Sequence, residues 1–167
     1  LLALCQARLG KSEVTRFTAR ADHLRVQHQA RRQQWQQAAR LAREQRPIAV
    51  PTAVAEIWDV IKHEDWVLVN NAVGAWTRRL WDWQQPGCHL GSSGGAGLGY
   101  GMGAALGGAL AYRDSGKVCV NLQADGDLLF TPSALWTAAH HHIPLLVVMF
   151  NNRSYYNSEE HAIELAR

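Results

Sequence analysis

The sequence predicts an α/β fold with a parallel sheet, and three observations carry that prediction. Short apolar runs of strand length alternate with stretches of helical periodicity from about residue 52 onward. Ten of the fourteen glycines fall between Gly87 and Gly108, inside that alternation. Two polar signatures, Ala124-Asp125-Gly126-Asp127 and Asn151-Asn152, each follow directly on an apolar run.

Residues 1–9 read as the tail of an apolar helix ended by Gly10. Residues 21–45 lack Gly and Pro and are rich in Gln, Arg and Ala, which predicts one long, mostly exposed helix. Pro47 and Pro51 are expected to end it. Thr52 is expected to cap a helix running through Ile61, with Val54, Ile57, Trp58 and Ile61 as its apolar stripe. Trp66 to Val69 reads as a buried strand. Residues 74–83 read as a helix with Trp76, Leu80 and Trp83 inward, and Gln84 to Ser93 as a loop. Tyr100 to Tyr112 is a small-residue helix, Val118 to Gln123 a strand, Ser133 to His142 a helix and Pro144 to Phe150 a strand. A helical pattern from Ser158 to Arg167 runs to the end of the sequence. The sequence starts without Met and stops inside that pattern, so it reads as a piece of a longer protein. The predicted division is a helical segment over 1–46 and an α/β domain over 47–167.

Composition narrows the function classes. The 167 residues are 47% hydrophobic and 19% charged, as in a globular protein. No apolar run reaches the length of a membrane span, so no membrane partner is expected. The net charge of +3 conceals ten Lys/Arg against three Asp/Glu in residues 1–46, and seven against eleven in 47–167. The basic segment offers only Trp35 and Phe17 as aromatics, so it reads as a solvated helix face and no nucleic-acid partner is expected. Three widely spaced cysteines, Cys5, Cys88 and Cys119, suit free thiols in a reducing, cytoplasmic setting.

The glycine block permits two readings: a backbone that approaches a ligand closely, or a helix packed tightly through small residues. It does not form a dinucleotide fingerprint. Windows starting at Gly95, Gly97, Gly99 or Gly101 place Tyr100, Met102, Ala104 or Leu106 where G-x-G-x-x-G needs its last glycine. Asp125 stands at the carboxyl end of a predicted strand, where parallel sheets bind ligands. Twenty-six residues, one helix and one strand, separate it from Asn152, so one βαβ crossover brings Asn151-Asn152 to the same edge. A carboxylate, an amide oxygen and nearby carbonyls are hard ligands suited to Mg²⁺ beside a diphosphate. Taken singly, each signature also fits a plain Asx turn or loop. His140-His141-His142 cannot converge on one ion from consecutive helix positions and reads as a helix end. His89, Ser92 and Ser93 read equally as pocket lining or loop, and Cys88 lacks a base that would make it a nucleophile.

With these residues in view, the sequence resembles a known family. Ala124-Asp125-Gly126 followed by Asn151-Asn152 resembles the GDG…NN signature of thiamine diphosphate enzymes. The segments GGAGLGYGMGAALGGALA and ADGDLLFTPSALWTAAHHHIPLLVVMFNNRSYYN are similar to the cofactor-binding C-terminal domain of the acetolactate synthase and benzoylformate decarboxylase group. The resemblance spans about residues 47–165 and implies a doubly wound, thiamine diphosphate-binding fold, truncated here, and the basic helix within residues 1–46 resembles the end of that group's middle domain and the linker from it. It implies thiamine diphosphate and Mg²⁺ as cofactors, with Asp125, Asn152 and the Ser154 carbonyl on the metal. Gly126 and Asp127 are implied to face the diphosphate through backbone N–H groups, with Val73 and Gly74 in a second diphosphate loop. Ala96, Gly97 and Leu98 are implied to hold the aminopyrimidine, Leu98 being the apolar support that bends the cofactor, and Tyr155 to pack near it. Asp127 departs from the usual small residue, and its charge is expected to face away from the phosphates or to pair.

The implied activity is decarboxylation of a 2-oxo acid, or carboligation of the product to a second carbonyl. In this family a glutamate from another domain of a neighbouring subunit activates the cofactor. A homodimer or homotetramer with the site at the interface is therefore expected, and a piece lacking that domain is expected to be inactive. The alternatives are a non-catalytic homologue used for assembly or regulation, and a nucleotide-binding oxidoreductase.

Overall fold

The computed structural model describes residues 1–91 and 98–166. They form two compact units, Leu1–Thr52 and Ala53–Arg167.

The first unit is helical. Helix α1 (Leu2–Arg8) buries no residue, and α2 runs from Lys11 to Leu41. At 31 residues α2 is about 46 Å long. It begins ten residues before the predicted start because Gly10 and Glu13 form a start signal there, the Gly10 N–H donating to Glu13 Oε2 at 2.6 Å. Ala39 is its one buried residue. The prolines do not end this helix, which is over by Ala42. Pro51 instead sits in the first turn of α3 (Val50–Ile61), where a missing N–H breaks no helical bond. Thr52 is correspondingly inside α3 and not its cap; its buried hydroxyl donates to the Ala39 carbonyl at 2.8 Å.

The second unit is built on a parallel sheet of β1 (Trp66–Asn71), β2 (Val118–Ala124) and β3 (Leu146–Phe150), in that order. Trp66 pairs with Val118 at one end of the sheet, and Ala124 with Phe150 at the other. Helix α4 (Ala75–Leu80) and α5 (Tyr100–Ala111) lie between β1 and β2. The short turn α6 (Asp125–Leu128) and α7 (Ser133–His140) lie between β2 and β3, and α8 (Tyr156–Leu165) follows β3. The strand prediction holds: β1 and β2 start where expected and run on by two residues and one, and β3 starts two residues later than expected. Leu68 also bonds the Cys88–Leu90 backbone as a parallel bridge, so the loop after α4 contributes one extended residue beside β1.

Helix α5 covers β1 and β2. Ala105 and Ala109 pack on Val67, Val69 and Cys119, with Tyr112, Ile143 and Leu145 at the margin. A Cβ at Gly108 would lie 2.8 Å from Val69 Cγ1, so this approach requires glycine. The helical half of the glycine block is therefore a packing surface. Val54, Ile61, Leu68, Trp81, Val120 and Leu122 are also almost fully buried. Trp81, and neither Trp76 nor Trp83, is the fully buried tryptophan. Its ring stacks with Trp58 and Trp83, and its Nε1 donates to the Val54 carbonyl at 3.0 Å. The helix predicted over 74–83 stops at Leu80, so Trp81 and Trp83 belong to the following loop. Among the described residues no helix is long and apolar enough to cross a membrane.

Candidate functional site

The site lies at the carboxyl ends of β2 and β3. Their last residues, Ala124 and Phe150, are register partners, so the chain leaves both strands side by side. Asp125 then reaches across: its Oδ2 accepts the Arg153 N–H at 2.8 Å. One bond uses one of about four acceptor positions on a carboxylate. Asn151 and Asn152 fold their side chains onto their own loop, Asn151 Oδ1 accepting from Arg153 N–H and Asn152 Oδ1 from Ser154 N–H, each at 3.1 Å. These are the Asx turns that the plain reading anticipated, but they fall on the asparagines and not on Asp125. Arg153 takes a positive φ of 57°, and Ser154 Oγ donates to Glu159 Oε2 at 3.1 Å.

Gly126 is set by a close approach and not by its backbone conformation. Its φ is not left-handed; instead a Cβ there would stand 2.6 Å from Tyr155 Cε1. The Tyr155 hydroxyl donates to the Gly126 carbonyl at 3.2 Å, laying the ring against α6. Thus the structure brings Asp125, Gly126, Arg153 and Tyr155 together, with Asn152 and Ser154 in the same loop.

A second group lies at the start of α5. Leu98 and Gly99 have consecutive positive φ values of 58° and 85°, and the Leu98 side chain is 74% exposed. A non-glycine residue in this region costs on the order of 1–3 kcal/mol, which interactions around it must offset for the conformation to persist. Asp127 Oδ1 accepts the Gly99 N–H at 2.6 Å, and Oδ2 accepts those of Gly101 at 3.3 Å and Gln123 Nε2 at 2.7 Å. The Asp127 side chain is therefore paired and turned into the start of α5. Beneath it, Asn121 Nδ2 donates to Gln123 Oε1 at 3.1 Å, and Asn70 Nδ2 to Asn121 Oδ1 at 2.9 Å. All three amides are buried. An irregularity in the β1–β2 register between Leu68 and Asn70 lets Val69 and Asn70 both approach α5.

The loop after β1 is shaped by Asn71. Its Oδ1 accepts the Val73 N–H at 3.2 Å, and its Nδ2 donates to the Gly74 carbonyl at 3.1 Å and to Thr77 Oγ1 at 3.0 Å. Gly74, with φ 62° and ψ −128°, holds a conformation open to glycine alone among common residues. Asn70, Asn71, Asn121 and Gln123 were not singled out from sequence, although polar residues in otherwise apolar strands were a readable signal. Ala96 and Gly97, with Ser92 and Ser93, lie outside the described residues.

Other candidates fall away from these turns. His140 stacks on Trp136 at 4.5 Å, and the Arg113 guanidinium donates to the His141 carbonyl at 2.7 Å, as befits a helix end. His89 packs edge-on against Trp83; burial lowers its pKa, with Arg78 adding to the effect and a bond to the Gly91 backbone opposing it. Cys88 is buried.

Residues 72–163 match the family described as thiamine pyrophosphate enzyme, C-terminal TPP-binding domain. The chain belongs to this family. Among solved structures it is similar to an enzyme from Mycobacterium smegmatis described as thiamin diphosphate-dependent (27% identity, TM-score 0.55, 67% of this chain and 22% of that one). It is also similar to a thiamine diphosphate-dependent 4-hydroxybenzoylformate decarboxylase from Rhodococcus jostii RHA1 (25%, 0.56, 68% and 22%). Benzoylformate decarboxylase from Polynucleobacter necessarius shares the fold (23%, 0.64, 74% and 24%). The chain thus spans less than a quarter of the length of these proteins. No curated protein matches it significantly. As a TPP-binding domain, this α/β unit has the Asp125 turn and the Asn151-Asn152 loop at the ends of adjacent parallel strands, and the family match displaces the nucleotide-binding oxidoreductase alternative.

Proposed function

We propose that the domain binds thiamine diphosphate through Mg²⁺ and serves a 2-oxo acid decarboxylase or carboligase. The observation that carries this reading is the Asp125 carboxylate accepting the Arg153 N–H, which ties the two metal-type loops together. The residues fit the cofactor. Asp125, the Asn152 amide oxygen and the Ser154 carbonyl are the hard oxygen donors Mg²⁺ takes beside a diphosphate. The first-turn N–H groups of α6 at Gly126 and Asp127 have no intrahelical partners and suit phosphate oxygens. Val73 and Gly74 present a second backbone turn, and Leu98 an exposed apolar support. Ala96 and Gly97 complete the aminopyrimidine side in this reading, and Tyr155 walls the α6 turn.

When bound, thiamine diphosphate supplies carbanion stabilisation for cleavage beside the substrate carbonyl. This chain's residues bind and orient. Asp125 and Asn152 would hold the metal end, the α6 backbone would receive the phosphates, and Leu98 would offer the apolar support beneath the cofactor. Leu98, Asn152 and Tyr155 are exposed, which leaves room for substrate walls from outside these residues, and the activating glutamate that the family resemblance implies would come from there as well. A homodimer or homotetramer sharing the site supplies them, and the isolated segment is inactive.

The test is thermal unfolding of the full-length protein with thiamine diphosphate and Mg²⁺, beside Asp125→Asn. A ligand that binds the folded state raises the midpoint by mass action. A rise of several degrees in the wild type, absent in the variant, is expected. A well-folded wild type that shows no rise would leave a non-catalytic homologue as the better reading.

A further inference from the structure

We infer that the Asp127 side chain is a positioning residue: it locks the Leu98–Gly99 turn to the α6 turn and so sets the separation of the two halves of the cofactor site. The inference rests on the cofactor reading above but concerns a side chain which that reading leaves without a role.

Both carboxylate oxygens are committed to groups distant in sequence. Oδ1 takes the Gly99 N–H and Oδ2 the Gly101 N–H, contacts that span 28 and 26 residues. Gly99 is the second of two consecutive left-handed residues, and Leu98 is the first. A carboxylate binding the N–H beside a strained residue is the kind of restraint that keeps such a conformation populated. Thr131 Oγ1 adds a longer bond to the Gly99 carbonyl at 3.4 Å.

The other end of the strut is equally fixed. Asp127 belongs to α6, so its backbone N–H and its carboxylate are only a few bonds apart. Gln123 Nε2 holds Oδ2 from the end of β2, and Asn121 and Asn70 hold Gln123 Oε1 in turn, at 3.1 and 3.4 Å. The packing leaves no slack: a Cβ at Gly101 would stand 2.7 Å from both Asn70 Nδ2 and Asp127 Oδ2. The arrangement also answers the charge conflict that an acidic residue beside phosphates would create. Three N–H donors surround the carboxylate and direct it away from the backbone face of α6.

The experiment compares two probes by titration calorimetry of the full-length protein: thiamine diphosphate with Mg²⁺, and inorganic diphosphate with Mg²⁺. Asp127→Asn is nearly isosteric but sets an amide N–H₂ against other donors. It is expected to weaken thiamine diphosphate roughly ten- to a hundredfold, and by clearly more than it changes the affinity for inorganic diphosphate. Asp125→Asn weakens both. Hydrogen exchange over residues 99–105 is expected to quicken in Asp127→Asn without any ligand. Asp127→Ser is measured alongside and decides the matter if Asp127→Asn does not fold. Equal weakening of both probes, or no weakening, overturns the proposal. So does failure of both variants to fold, which would make Asp127 a folding residue only. If the wild type binds neither probe, the cofactor reading fails by itself; unchanged exchange at residues 99–105 then overturns the strut independently.

Discussion

Strands β2 and β3 end side by side, yet they are held very differently. In β2 every residue from Cys119 to Gln123 is buried, between β1 and β3 and beneath α5. In β3 no residue is fully buried; Leu146 and Met149 are 41% and 45% exposed, and α8 beyond it buries nothing. The proposed metal site draws Asp125 from the end of the buried strand and Asn152 from the end of the more exposed one. The comparison teaches that the β2 side is a preformed platform. Beyond the β2–β3 ladder, the loop after β3 is tied to the β2 side by Arg153 N–H to Asp125 and by the Tyr155 hydroxyl to Gly126.

The largest expected difference is in stability. Leu122→Ala in β2 should cost about 2–5 kcal/mol, because the fully buried side chain leaves a cavity. Leu146→Ala in β3 should cost less than about 1.5 kcal/mol, since part of that side chain is already in water. Urea unfolding of the two variants measures both, and equal costs would break the comparison.

A smaller, kinetic effect sharpens it. Cys119 is 2% exposed and burial pushes its thiol pKa up, although Lys117 partly opposes this. In a Cys5→Ser background, a cysteine placed by Met149→Cys should react with a neutral thiol reagent at least about a hundred times faster than Cys119. Mass spectrometry of the labelled peptides reads the two rates; similar rates would mean that β2 opens as readily as β3.

The smallest effect concerns the edge beside β1. Burial holds the His89 pKa below 6.5, so the folded state resists protonation there more than the unfolded chain does. Its contribution is therefore present above pH 6.5 and lost as pH falls through the lower folded value. His89→Gln should flatten that acid-side slope slightly. An unchanged slope would place the pH dependence elsewhere.

Much of this was legible in the chain. The alternation of runs such as Val118 to Gln123 and Pro144 to Phe150 with helical stretches predicted the parallel sheet. The spacing of Asp125 and Asn152 predicted their convergence, since one crossover returns the chain to the same edge. The start of α2 was missed because a glycine with Glu13 three residues on is a weaker signal than apolar periodicity. Trp81 was missed because the helical pattern was carried three residues too far. The amides were missed because Asn121 and Gln123 alternate with Val120 and Leu122, just as a solvent-facing side would.

By itself, then, the sequence determined the fold class, the order of the strands' contents and the two turns at their ends. All of these follow from local periodicity and chain connectivity. Only the tertiary structure decided that the polar side of β2 faces inward. Its partners, Asn70, Asp127 and the N–H groups of Gly99 and Gly101, come from separate segments, and a buried amide is tolerated only once such partners have met.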